Sequence, residues 1–245
     1  MAKSPRHQKL AKFVQLGLSG IEPDGAHNDA ALNMKAYLIL RESLLSGAFE
    51  PGLLLNIRPL ADELNMSPMP VREALSRLRA DGGLETLANR AFRVPVTSVD
   101  TYRQIMIMRL RLEACLCERA AVIATSEDII RITELYDKME EAAGLRLEDY
   151  LYAHRKFHFG IYETAQMPAI LSVVEGLWLR IGPVLRASSL GSRITADRKH
   201  HLAMLHAMRT YDPEALVRYL GDDVTDGVEL VQEYLRAHQT EAPDS

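Results

Sequence analysis

The sequence predicts a mainly α-helical protein in two parts: an N-terminal winged helix-turn-helix with a small β-hairpin wing, and a C-terminal all-α bundle of about six helices. Apolar residues recur at three- and four-residue spacing along most of the chain. Between Asn56 and Val96 two short helical segments, separated by a Ser-Pro start signal, lead into a pair of strand-like segments. Beyond Ser98 strand signals nearly vanish.

The composition suits such a fold. With 245 residues, 47% hydrophobic and 25% charged, the chain has room for one large or two ordinary domains and enough apolar side chains to bury a core. No run approaches the roughly 20 apolar residues of a membrane span, and the first residues show neither an apolar signal region nor a cleavage site, so the expectation is a cytoplasmic protein with no membrane partner. Cys115 and Cys117 fall on nearly opposite faces of one helical pattern, too badly aimed to bridge, and read as reduced packing residues. The net charge of −4 is unevenly spread: 12 Lys and Arg face 10 Asp and Glu through Thr97, against 17 and 23 after it. The front part is the one whose charge suits a polyanion.

Taken in order, residues 1–28 mix Lys, Ser, Pro, Gly and Asp without a sustained period and read as a flexible arm, with a transient helix at 10–18. Such an arm is usually solvated, though its basic residues are able to touch phosphate. Over 29–46, Leu32, Ala36, Ile39, Leu40 and Leu44 keep helical spacing, and Gly47 offers a stop. Pro51-Gly52 turns the chain, 53–55 is a strand candidate, and Asn56 is placed to cap a helix running to about Asn65. Ser67 is an N-cap candidate for the next helix, with Pro68 at its first position and Asp81-Gly82-Gly83 at its end. On that helix Val71, Ala74, Leu75 and Leu78 form a packing stripe, while Arg72, Ser76 and Arg79 share another face. Segments 84–87 and 92–96 then form a hairpin with Arg90 at its tip and Arg93 beside it.

Helices are expected over about 98–124, 126–143, 147–166, 168–190, 195–211 and 213–237. Ser98, Ser126 and Asp212 stand at their starts, and Gly182-Pro183 is expected to kink the fourth. The divisions are therefore 1–28 arm, 29–97 first domain, 98–238 second domain and 239–245 tail.

One group of residues in the back half carries chemistry. His154 and His158 lie one turn apart on the same helix face. His201 and Asp223 each fall on or near an apolar stripe of a later helix. Three neutral imidazoles and one carboxylate suit a divalent ion, zinc first and nickel or manganese next, with coordination positions left for a ligand. Paired histidines on a helix are also common as hydrogen-bonded core residues, and the spacing alone leaves that reading open. His200 and His206 are expected to point elsewhere, and Trp178 to be a packing residue.

Two sets of motifs resemble a known family. Arg58-Pro59-Leu60-Ala61, then Pro70-Val71-Arg72-Glu73-Ala74-Leu75 with Leu78, then Gly83-Leu84 and a hairpin, resembles the DNA-binding domain of GntR-type bacterial transcription regulators. The resemblance spans about 33–96. Arg109-x-x-Leu112-Glu113, His154-x-x-Phe157-His158, His201-x-x-Met204-Leu205-x-Ala207 and Asp212-Pro213-Glu214 are similar to the FCD effector domain of that family's FadR branch. In that branch the position of His154 usually holds Asp and that of Asp223 usually His. Here the two are exchanged, and the count of three His and one Asp survives. Where the branch carries Asn, this chain has Met167.

The resemblance implies a homodimeric, ligand-responsive regulator, in the first instance a repressor of a catabolic operon, acting on a palindromic operator. It implies operator contacts from Arg58, Ser67 and Arg72, with the wing tip entering the minor groove; Arg79 is assigned to phosphate and Arg90 to the wing. A guanidinium near the start of a recognition helix, as at Arg72, is able to pair bidentately with guanine. Pro68 stands where the family often has Arg, and Ala91 where it has a wing Gly, which concentrates base reading on Arg58 and Arg72. Arg109 matches the position that pairs with an effector carboxylate, so metal and arginine together imply a small organic or sugar acid; the competing reading is an Arg109–Glu113 helix pair. The rival functions are a hydrolase using His154, His158, His201 and Asp223 to activate water, and a metal-free sensor of acyl-CoA type.

Overall fold

Ala36, Ile39, Leu40 and Leu44, spaced for one helical face, are all buried on helix α1 (Asp29–Leu45). The structure, a computed structural model, describes residues 29–88, 91–189 and 199–238. The expected arm at 1–28, the wing tip with Arg90, residues 195–198 of the expected fifth helix and the tail at 239–245 lie outside the described residues. Two compact units are present: one reaches Val96 and also takes in Trp178–Val184, and the other runs from Thr97 to Leu177 and from Leu185 onward.

In the first unit α1 is followed by β1 (Leu54–Leu55), α2 (Ile57–Leu64), α3 (Pro68–Ala80), β2 (Glu85–Thr86) and β3 (Phe92–Arg93). Val71, Leu75 and Leu78 of α3 are fully buried and pack on α1. Asn56 and Ser67 do occupy N-cap positions with extended backbone, but neither side chain makes a capping hydrogen bond. Asn65 ends α2 at φ 52 and Gly82 follows α3 at φ 82, both in the left-handed region. Tyr37 Oη donates to Asp81 Oδ2 at 2.8 Å, tying α1 to the end of α3.

The wing differs from the expected hairpin. Its strands are shorter than 84–87 and 92–96, and β1 joins them in an antiparallel sheet of order β1-β3-β2. Leu87 N–H donates to Ala91 O at 3.0 Å to close the β2-β3 turn, while Val94 N–H turns instead to Leu53 O, also at 3.0 Å. Pro95 has no N–H to extend the ladder.

The second unit contains α4 (Val99–Ile123), α5 (Ser126–Ala142), α6 (Leu147–Thr164), α8 (Lys199–Arg209), α9 (Pro213–His238) and the two ends of α7 (Pro168–Ser189). Ser98 caps α4 by accepting from Thr101 N–H. Helix α5 starts at Ser126 as expected, and Thr125 before it is the cap, forming a reciprocal capping box with Asp128. Asp212 accepts from Ala215 N–H at the start of α9. Helix α4 packs on α6 and α9, α5 on α6, and α8 on α9. At the α5–α6 crossing a Cβ on Gly160 would land on Leu135 Cδ1, so the absence of a side chain there lets the helices approach.

Helix α7 runs on through Pro183. Within the first unit its Gly182 lies so near α1 that a Cβ would stand 2.6 Å from Leu44 O, which excludes any larger residue without movement. The same helix corrects the expectation about apolar runs. Among the described residues, Pro168–Ser189 is long and apolar enough by length and composition to cross a membrane, and core helices pass that same test. Its Val174, Leu177, Leu179 and Ile181 are buried against protein. Cys115 and Cys117 are free thiols, the latter fully buried.

Candidate metal centre

The four side chains singled out by type and spacing come together in the second unit. His154 and His158 project from one face of α6, His201 from α8 and Asp223 from α9. One ligand atom from each lies within 4.8 Å of all the others. His158 Nε2 is 3.2 Å from His154 Nε2 and 3.4 Å from Asp223 Oδ2, and His201 Nε2 is 3.1 Å from Asp223 Oδ1. Ligands held about 2.0–2.1 Å from a shared divalent ion are separated by roughly 3.0–3.4 Å, so these spacings match the edges of a coordination polyhedron. His158 and His201 are buried, while His154 and Asp223 are partly exposed.

The electrostatics agree with a site built for neutral imidazole. Burial pushes the pKa of His154 well down, helped by His201 and Arg109; burial also lowers His158, helped by His154, His201 and Arg109. Burial raises Asp223, against the lowering pull of His201 and Arg109. The decisive observation is His201: it is buried, and among the described residues neither ring nitrogen makes a hydrogen bond, its approach to Asp223 being close in distance but not aligned as one. An unsatisfied buried imidazole is costly unless something other than a hydrogen bond meets its lone pair, and a cation does so. The residues present therefore fit a divalent metal.

Arg109 lies near this cluster and is buried, but the structure shows it in the competing role. Its Nε donates to Glu113 Oε1 at 2.6 Å and its Nη2 to Glu113 Oε2 at 3.2 Å. Burial alone would lower the Arg109 pKa; the charge and hydrogen bonds of Glu113 outweigh it and leave the group firmly cationic. Glu113 also accepts from Tyr162 Oη at 2.7 Å, and Tyr162 Oη lies 3.1 Å from His158 Nδ1. Sequence reasoning missed Tyr162, although its position one turn beyond His158 placed it on the same face. His200 is not among the four donors, and its Nε2 lies 3.0 Å from Asp226 Oδ2. Trp178 is buried.

On the first unit, Arg58, Ser67, Arg72 and Arg79 are all exposed, as a surface meeting a large polyanion requires. Arg77 is committed elsewhere, its guanidinium 3.9 Å above the Tyr37 ring. Arg93 pairs with Glu85, its direct cross-strand partner, at 2.5 Å.

Comparison with known proteins joins these two units to named domains. Residues 32–94 match the family model described as bacterial regulatory proteins, gntR family, and residues 104–225 match the FCD domain. The solved structure of E. coli McbR/YncC superposes with a TM-score of 0.77 at 30% identity, covering 83% of this chain and 98% of that one. This chain belongs to the GntR family. Among curated members of the family, the HTH-type transcriptional regulator McbR of Escherichia coli is 29% identical over 218 residues, 86% of this chain and 98% of that protein. The gluconate operon transcriptional repressor of Bacillus subtilis is 26% identical over 219 residues, 82% of this chain and 86% of that protein. As a GntR-family protein with an FCD domain, the chain is a ligand-responsive, DNA-binding transcription regulator and not an enzyme.

Proposed function

We propose that this regulator senses a small carboxylate, an organic or sugar acid, through a divalent metal held by His154, His158, His201 and Asp223, zinc being the best match to three imidazoles and one carboxylate. The observation that carries the reading is the convergence of these donors around the unsatisfied His201. A bound ion supplies a Lewis acid for ligand oxygens. The chain's own residues do the rest: the four donors hold the ion, and Arg109, cationic and close to the cluster, attracts the ligand's carboxylate. Because Arg109 already holds Glu113, the ligand must share or compete for that guanidinium. The curated relatives include one named for a gluconate operon, which supports a sugar acid as the ligand class.

In this reading residues 29–97 bind the operator and 98–238 bind the effector and join two copies into a homodimer in the cytoplasm, on a palindromic site in a catabolic operon. Arg58 and Arg72 read bases, Ser67 and Arg79 meet phosphate, and Arg90 serves the wing. The ligand lifts repression if it binds more tightly to the arrangement of the dimer that does not fit the operator, since only differential affinity moves such an equilibrium.

The test is a thermal-shift screen of zinc-loaded protein against small organic and sugar acids, repeated with Arg109→Lys, which keeps the charge but loses the planar fork. One class of acid should raise the melting temperature of the native protein and shift the variant much less. Equal stabilisation of both proteins, or none by any carboxylate, would contradict the assignment.

A further inference from the structure

Resting on the metal reading above, we infer that Glu113, acting through Tyr162, is the positioning group that fixes His158 in its Nδ1–H tautomer and so keeps its Nε2 lone pair turned into the donor cluster. Glu113 is fully buried and accepts from Arg109 Nε and Nη2 and from Tyr162 Oη. The guanidinium is what makes a buried carboxylate tolerable at this place. Both Glu113 oxygens accept from Arg109, and the single hydroxyl proton of Tyr162 is committed to Glu113 Oε2. Toward His158 Nδ1, at 3.1 Å, the Tyr162 oxygen is then left only to accept, and Nδ1 must carry the ring proton.

The consequence falls on the other nitrogen. His158 Nε2 faces His154 Nε2 at 3.2 Å and Asp223 Oδ2 at 3.4 Å. Left to that carboxylate, a neutral imidazole would place its proton on Nε2 and block ligation. The shorter contact to Tyr162, polarised by Glu113, draws the proton to the opposite side. The relay crosses from α4 to α6, so the helix that carries Arg109 also governs a donor of the cluster. A partner group of this kind fixes ring orientation and raises ligand basicity, and its loss typically lowers metal affinity by about 10–100-fold.

The test uses full-length protein with ¹⁵N-labelled histidine and cobalt(II) as the probe. In metal-free wild-type protein, long-range ¹H–¹⁵N spectra should show His158 protonated at Nδ1 and bare at Nε2; an Nε2–H form overturns the relay whatever any variant does. Tyr162→Phe should populate the Nε2–H form and weaken cobalt binding, read by chelator competition, by about ten-fold or more, with Glu113→Gln acting in the same direction. If wild type binds cobalt and a folded Tyr162→Phe binds within about two-fold, the relay is refuted while the metal centre stands. A wild-type protein that takes up no cobalt refutes the metal reading, and the relay's role falls with it.

Discussion

Arg72 and Arg77 sit on the same helix and have different fates. Both are exposed, but Arg77 stacks on Tyr37 while Arg72 stands on the face opposite the buried stripe of α3. The periodicity made Arg72, Ser76 and Arg79 visible as a separate face; the stacking of Arg77 depends on how α1 and α3 cross, which no local pattern encodes. Arg72→Ala should leave the fold intact and cost about 1–3 kcal/mol of discrimination between operator and unrelated DNA, measured by gel shift against both. Unchanged discrimination would remove Arg72 from the base-reading set. Arg109 was legible as a charged residue beside a motif, but its engagement with Glu113 decides its energetics. Arg109→Leu strands a buried carboxylate and should lower stability by about 3–5 kcal/mol in denaturant melts, far more than an exposed arginine would.

Among elements, the helices were readable almost to their ends because caps and glycines mark them: Ser98, Asp212, Gly47 and Gly82 stand where the observed boundaries fall. The start of α5 falls at Ser126 as the pattern indicated, but the capping side chain is Thr125, which only its reciprocal bonds with Asp128 distinguish. Thr125→Ala should cost about 1 kcal/mol of stability by removing that box. Hydrogen bonds from the Thr125 side chain and backbone hold the Asp128 pKa below its ordinary value. A depressed carboxylate stabilises the fold above its unfolded pKa and loses that contribution as pH falls through the folded value. The difference between wild type and Thr125→Ala should therefore be full near neutral pH and shrink on acidification below about pH 4, as followed by thermal melts across that range. The wing was the least legible element: β1 was visible as a candidate, but its pairing with β3 is a long-range choice that two-residue strands scarcely advertise.

For the whole molecule, the two-part organisation was visible from the shift between strand-bearing and purely helical pattern, and the family motifs gave each part its role. The candidate donors were legible one helix at a time: the His154–His158 spacing on α6 is local, whereas the meeting of α6, α8 and α9 is a product of packing. What the sequence left open, a metal centre or hydrogen-bonded core histidines, the structure narrows through His201, whose ring nitrogens make no hydrogen bond among the described residues. If the centre holds metal, chelation should lower the melting temperature of the native protein by mass action and re-addition of zinc should restore it; a chelator without effect on melting would argue that the donors stabilise the fold unaided. The most direct measurement is metal content by mass spectrometry on protein purified without chelator or affinity tag, for wild type and His158→Ala/His201→Ala in parallel. The expected result is about one divalent ion per chain in wild type and a small fraction of that in the double variant; a metal-free wild type, or equal metal in both proteins, would contradict it.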